Sequence, residues 1–128
     1  MTAPHSPYVL LVDDDPDIRS TVELALELYG YDVVSVANGL EALDWLRGGH
    51  ALPFLILLDF MMPEMSGSQF RSEQQQDPTL AAIPTVVLTG AGMLSDVSSD
   101  VLATEVLRKP IGLDALLSAV RRHSRLVD

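Results

Sequence analysis

The chain has 128 residues, which bounds it to about one domain with room for a sizeable core. A formal charge of −10 leaves no electrostatic footprint for nucleic acid or an anionic membrane surface, and the lack of cysteine excludes disulfides and thiolate metal sites. No apolar stretch approaches the ~20 residues that cross a bilayer, and the first residues hold no secretory apolar segment, so a cytoplasmic protein is expected.

Residues 1–7, with two prolines, read as a flexible tail ahead of one domain over 8–128. The run Tyr8-Val9-Leu10-Leu11-Val12 predicts a strand over 8–13 that ends in Asp13-Asp14-Asp15. Asp15 followed by Pro16 reads as an N-cap and first helical position. Ile18, Val22, Ala25, Leu26 and Tyr29 then share one helical face, and Gly30 stops that helix. A second strand is expected over 32–37, and Asn38-Gly39 opens a helix with apolar positions at Leu40, Leu43 and Leu46. The third strand, 54–59, is Phe54-Leu55-Ile56-Leu57-Leu58 ending in Asp59. Gln74-Gln75-Gln76 reads as solvated helix surface. A fourth strand over 84–89 ends in Thr89-Gly90, and a fifth over 105–108 runs into Lys109-Pro110. Leu113, Leu116, Leu117 and Val120 mark the last helix. His5, His50 and His123 are expected at the surface, Met61, Met62 and Met65 in a loop against the sheet edge, and Trp45 in helix packing.

Near-continuous apolar strands alternating with amphipathic helices predict an α/β fold, a parallel sheet covered on both faces. Five strands suit the flavodoxin-like doubly wound order 2-1-3-4-5, whose switch point lies between strands 1 and 3. Ligands bind there, beyond the carboxyl ends of the strands, and the acids at those two tips are Asp13, Asp14 and Asp59.

An acid at the tip of a buried strand is costly unless it is paired, metal-bound or reactive. Three ionised carboxylates within ~4 Å repel by roughly 4 kcal/mol per pair at an effective dielectric of 20. A Mg²⁺ or Mn²⁺ ion and the Lys109 ammonium together neutralise them. Mg²⁺ asks for oxygen ligands and keeps several waters, so the carboxylates and the Met61 carbonyl suffice. Thr89 offers a hydroxyl and Gly90 an approachable N–H to a phosphoryl oxygen. Taken singly, each feature has an ordinary reading: an acidic helix cap, a turn aspartate, a Thr-Gly turn, a solvated Lys-Pro strand end. Their coincidence at successive strand ends points to one phosphoryl site.

With these residues in view, the chain resembles a response-regulator receiver domain of two-component signalling, of the chemotaxis-regulator type, over residues 8 to about 125. The motifs are Val9-Leu10-Leu11-Val12-Asp13-Asp14-Asp15-Pro16, Leu58-Asp59-Phe60-Met61-Met62-Pro63 with Gly67, Pro84-Thr85-Val86-Val87-Leu88-Thr89-Gly90, and Lys109-Pro110. The resemblance implies that Asp59 is the phosphoacceptor, Asp13 and Asp14 the acidic pair, Thr89 the switch hydroxyl and Lys109 the family lysine. It implies transfer from a sensor histidine kinase or histidine phosphotransferase, and a downstream protein target docking on the face of the fourth helix, fifth strand and last helix. Catalysis is expected only as self-phosphorylation and autodephosphorylation. Val106 departs from the family pattern, which has an aromatic residue there. Met61 and Ala91 offer no side-chain group to orient water, so a long-lived phosphoaspartate is expected. Two rivals remain: a receiver-like binding module that signals without phosphate, and a small aspartyl phosphatase built on Asp13-x-Asp15. The latter lacks a second acidic pair after Lys109, and flavodoxin-type chemistry lacks a phosphate loop after strand 1. With no output domain after the last helix, either a stand-alone regulator or a receiver excised from a longer chain is expected.

Overall fold

The computed structural model describes residues 7–60, 65–90, 105–108 and 111–124. The elements run β1 (Tyr8–Val12), α1 (Pro16–Leu28), β2 (Asp32–Val36), α2 (Gly39–Leu46), β3 (Leu55–Asp59), α3 (Gly67–Gln76), a helical turn α4 (Pro78–Ala81), β4 (Thr85–Thr89), β5 (Glu105–Arg108) and α5 (Leu113–Ser124). The sheet is parallel in every pairing, with the expected order β2-β1-β3-β4-β5. The helix expected between β4 and β5 and residues 1–6 lie outside the described residues.

Successive side chains of a strand leave opposite faces of the sheet, and both faces are covered. Tyr8, Leu10 and Val12 of β1 join Ile56 and Leu58 under Ala42, Leu43 and Leu46 of α2 and Phe70 of α3. Val9 and Leu11 join Leu55, Leu57, Val86 and Leu88 under Val22 and Leu26 of α1 and Leu116, Leu117 and Val120 of α5. β1, β3 and β4 are therefore buried at every position, which is why they read as unbroken apolar runs. Full burial of each such aliphatic side chain contributes about 1.5–3 kcal/mol. The edge strands β2 and β5 are only partly covered.

Local sequence sets the helix ends. Asp15 caps α1 by accepting from the N–H groups of Asp17 and Ile18, with Pro16 following. Asn38 caps α2 by accepting from Glu41 N–H, and Ser66 and Gln69 form a capping box at α3. Gly30 has φ +89°, a left-handed conformation that favours glycine, and its N–H bonds the Glu27 carbonyl.

Several sequence expectations are corrected. Tyr29, Leu40 and Leu113 are exposed rather than on buried faces. Tyr29 has reached the C-cap of α1, where its ring lies 5.7 Å beneath the Arg121 guanidinium. Leu40 and Leu113 sit in the first turns of α2 and α5, and in α2 the buried face is made instead by Gly39, Ala42, Leu43 and Leu46. Gln74 is fully buried rather than solvated. Trp45 packs as expected: its indole N–H donates to the Tyr8 hydroxyl at 2.9 Å, and His50, half-buried rather than at the surface, stacks on it at 3.8 Å. Burial raises the Tyr8 phenol above its ordinary range, and the Trp45 bond partly offsets this.

His123 is also buried, and its Nδ1 has no hydrogen-bond partner among the described residues. Burial lowers its pKa below the ordinary 6.5, with Glu105 opposing and Arg122 reinforcing the shift. The unfolded chain thus takes up this proton more readily than the folded one. The contribution of neutral His123 is complete above about pH 6.5 and is lost as pH falls through the folded value. His123→Leu is expected to show a smaller drop in Tm between pH 7.5 and 5.5 than the parent. An equal drop in both proteins contradicts this assignment.

Candidate functional site

The site follows from sheet register. Val12 of β1 stands opposite Leu58 of β3. One residue on, Asp13 and Asp59 reach the carboxyl edge of the sheet next to each other, and Asp13 N–H still donates to the Val36 carbonyl at 3.2 Å. Carboxylate oxygens of Asp13, Asp14 and Asp59 all lie within 4.8 Å of one another. Asp13 is wholly buried, Asp59 is 5% exposed and Asp14 is exposed, so the group opens to solvent on one side.

An Asp13 carboxylate oxygen accepts from the Asp15 N–H at 2.9 Å. Asp15 itself turns to the start of α1, accepting from Asp17 N–H at 2.9 Å. It is outside the carboxylate group, which counts against a phosphatase built on Asp13-x-Asp15. Arg19, one turn into α1, donates from Nη1 to the Asp13 carbonyl at 2.7 Å. Sequence reading missed this residue. Its signal was a cation four positions past the cap of a helix headed by acids.

Thr89 stands one residue beyond Leu88, the register partner of Asp59, and is 1% exposed. Its hydroxyl donates to the Gly90 carbonyl at 3.3 Å, a local contact within the strand end. Gly90 is half-buried, and among the described residues a Cβ there meets nothing within 4 Å. Lys109, Pro110, Met61, Met62 and Ala91 lie outside the described residues. Val106 is 39% exposed on β5.

Gly67 braces the Asp59 segment. Phe60 follows Asp59, donates its N–H to the Leu88 carbonyl at 3.1 Å, and accepts from Gly67 N–H at 3.0 Å. A Cβ on Gly67 comes within 2.7 Å of Phe60 Cα, a backbone atom that cannot swing aside. Gly67→Ala is expected to cost about 1–3 kcal/mol of stability, as overpacking does. A urea midpoint equal to the parent's refutes that.

The donor set is all oxygen, with no imidazole or thiolate in the group. Such a set suits a hard divalent cation, Mg²⁺ or Mn²⁺, over zinc or copper. No helix among the described residues is long and apolar enough to cross a membrane.

A doubly wound parallel sheet with an acidic, cation-suited group at its β1/β3 switch point defines a class of phosphoryl-handling signalling domains. The chain belongs to the response regulator receiver domain family, whose model matches residues 9–121. It is 34% identical over 129 residues to the "DNA-binding dual master transcriptional regulator RpaA" of Synechocystis sp., covering 95% of this chain and 51% of that protein. It is 30% identical to "Protein PilG" of Pseudomonas aeruginosa, covering 90% of this chain and 85% of PilG. Among solved structures, the signal receiver domain of a signal transduction histidine kinase from Syntrophus aciditrophicus superposes with TM-score 0.82 at 32% identity, covering 92% of this chain and 89% of that one. The chain spans about half the length of RpaA and 38% of "Response regulator Rre1", also of Synechocystis sp..

Proposed function

We propose that Asp59 accepts a phosphoryl group from a phosphohistidine of a sensor histidine kinase or histidine phosphotransferase. Asp13, Asp14, Asp59 and the Met61 carbonyl hold Mg²⁺ or Mn²⁺. The observation that supports this is the meeting of three carboxylates from two neighbouring strand ends, two of them buried and Asp14 exposed.

An Asp59 carboxylate oxygen attacks phosphorus. The P–N bond breaks, and its electron pair stays on the donor imidazole nitrogen, leaving an acyl phosphate on Asp59. Such transfer depends on positioning and charge stabilisation more than on acid–base chemistry. A bound divalent cation supplies charge neutralisation for the phosphoryl oxygens. The Thr89 hydroxyl leaves the Gly90 carbonyl and donates to one phosphoryl oxygen, the Gly90 N–H reaches another, and the Lys109 ammonium pairs with the group.

The product carries about one extra negative charge. That charge holds Thr89 and Lys109 inward and shifts a pre-existing equilibrium at the face formed by the segment between β4 and β5, by β5 and by α5. The output is docking on a downstream protein in the cytoplasm rather than direct contact with DNA, in keeping with the charge of −10.

Fluorine NMR of the protein with beryllofluoride and Mg²⁺ tests the reading, with protein-bound fluoride resonances expected. A folded protein that takes up neither the mimic nor phosphate from acetyl phosphate supports the rival, a module that signals without phosphate. Exposed Val106, in place of the family's aromatic, is the feature that favours that rival.

A further inference from the structure

We infer that Arg19 is a positioning residue for the cation site, acting through the Asp13 carbonyl. This rests on the proposed cation site. The carbonyl that accepts the 2.7 Å bond from Arg19 Nη1 belongs to the peptide unit joining Asp13 to Asp14. A peptide unit is planar. Holding its carbonyl therefore fixes the direction in which the chain enters Asp14.

Asp13 is anchored otherwise, by its N–H on the Val36 carbonyl and its carboxylate on the Asp15 N–H. Asp14 is exposed, and its side chain makes no hydrogen bond among the described residues. Its place in the carboxylate group depends on the turn that carries it. The 13–15 turn is tied to β2 on one side and to α1 on the other, and Arg19 is the side chain that completes the second tie.

Charge and geometry make opposite forecasts. A guanidinium beside a cation site repels the cation, so on charge alone its removal tightens binding. If Arg19 holds the Asp13–Asp14 peptide in place, its removal loosens binding, because groups that orient metal ligands are typically worth 10–100-fold in affinity.

The test is Mn²⁺ titration of the purified chain, with free Mn²⁺ read by electron paramagnetic resonance and Mg²⁺ as competitor. Arg19→Met keeps the aliphatic stem and removes the donor. Arg19→Lys keeps the charge and an N–H donor group on a shorter stem. Arg47→Ala, at the end of α2, removes a charge elsewhere. Arg19→Met is expected to bind Mn²⁺ about 10-fold more weakly, with circular dichroism of the metal-free protein unchanged. Arg19→Lys recovers most of the loss, and Arg47→Ala binds as the parent does. Equal or tighter binding by Arg19→Met, or a Lys variant no better than the Met variant, overturns the role of Arg19 and leaves the cation site standing. A parent chain that takes up no Mn²⁺ overturns both.

Discussion

Asp59→Asn is expected to take up no phosphoryl group while folding as the parent does. Asparagine matches aspartate in shape, so the close contacts around a residue only 5% exposed are kept. The amide lacks the anionic oxygen that attacks phosphorus in the proposed transfer, while Asp13 stays wholly buried with an oxygen on the Asp15 N–H. Incubation with acetyl phosphate and Mg²⁺, followed by intact-mass analysis, is expected to show one added phosphoryl on the parent and none on the variant. The same substitution removes one of three like charges that lie within 4.8 Å of one another. Adding Mg²⁺ raises the parent's stability by about 2.7 kcal/mol at a concentration 100 times the dissociation constant, and the variant's by less. Phosphoryl uptake that persists in Asp59→Asn assigns the acceptor elsewhere.

What could be read from the chain in advance tracks how far each signal is local. β1, β3 and β4 were legible because a strand buried on both faces must be apolar at every position, and each ended in a residue too polar for that environment: Asp13, Asp59 and Thr89. The caps at Asp15 and Asn38 were legible because capping chemistry spans three residues. Proximity of Asp13, Asp14 and Asp59 followed from strand order alone, since neighbouring parallel strands in register deliver their tips to one edge. Arg19 and Gly67 were not legible as site supports, because each acts on a backbone group, the carbonyl of Asp13 or the Cα of Phe60, whose position depends on tertiary packing. His123 was misplaced for a related reason. Polar residues are mostly exposed, and only the packing of α5 on the sheet puts this one inside.

Gln74 is a further polar residue whose place the sequence did not reveal, and Gln74→Leu is expected to lower stability by about 3–5 kcal/mol with little effect on phosphoryl uptake by the folded fraction. Its side chain joins three elements. Oε1 accepts from Arg71 Nη1 at 2.6 Å within α3. Nε2 faces the Leu80 carbonyl at 3.0 Å, the Ile83 carbonyl at 3.2 Å and the Thr85 hydroxyl at 3.1 Å, which carry the chain from α4 into β4. Its two protons serve three acceptors, and the Thr85 hydroxyl adds its own bond to the Ile83 carbonyl at 3.3 Å. Leucine fills much the same volume but supplies none of these bonds. The Leu80 carbonyl and one arm of Arg71, itself 4% exposed, then lose this partner inside the protein. Each buried polar group so deprived costs about 1–3 kcal/mol, and more when it is charged. The apolar gain from leucine offsets part of that sum. Against a total of about 5–15 kcal/mol for a domain of ordinary stability, the remaining loss is severe. Urea denaturation measures it, and Gln76→Leu is the control. Gln76 is exposed and donates to the Ser72 hydroxyl at 3.4 Å, so a change within about 0.5 kcal/mol is expected there. Gln74 braces the start of β4, whereas Thr89 stands at its far end. Loss of the brace should therefore reduce the folded population without altering the chemistry of molecules that remain folded. A Gln74→Leu variant as stable as Gln76→Leu contradicts the account of a buried polar strut.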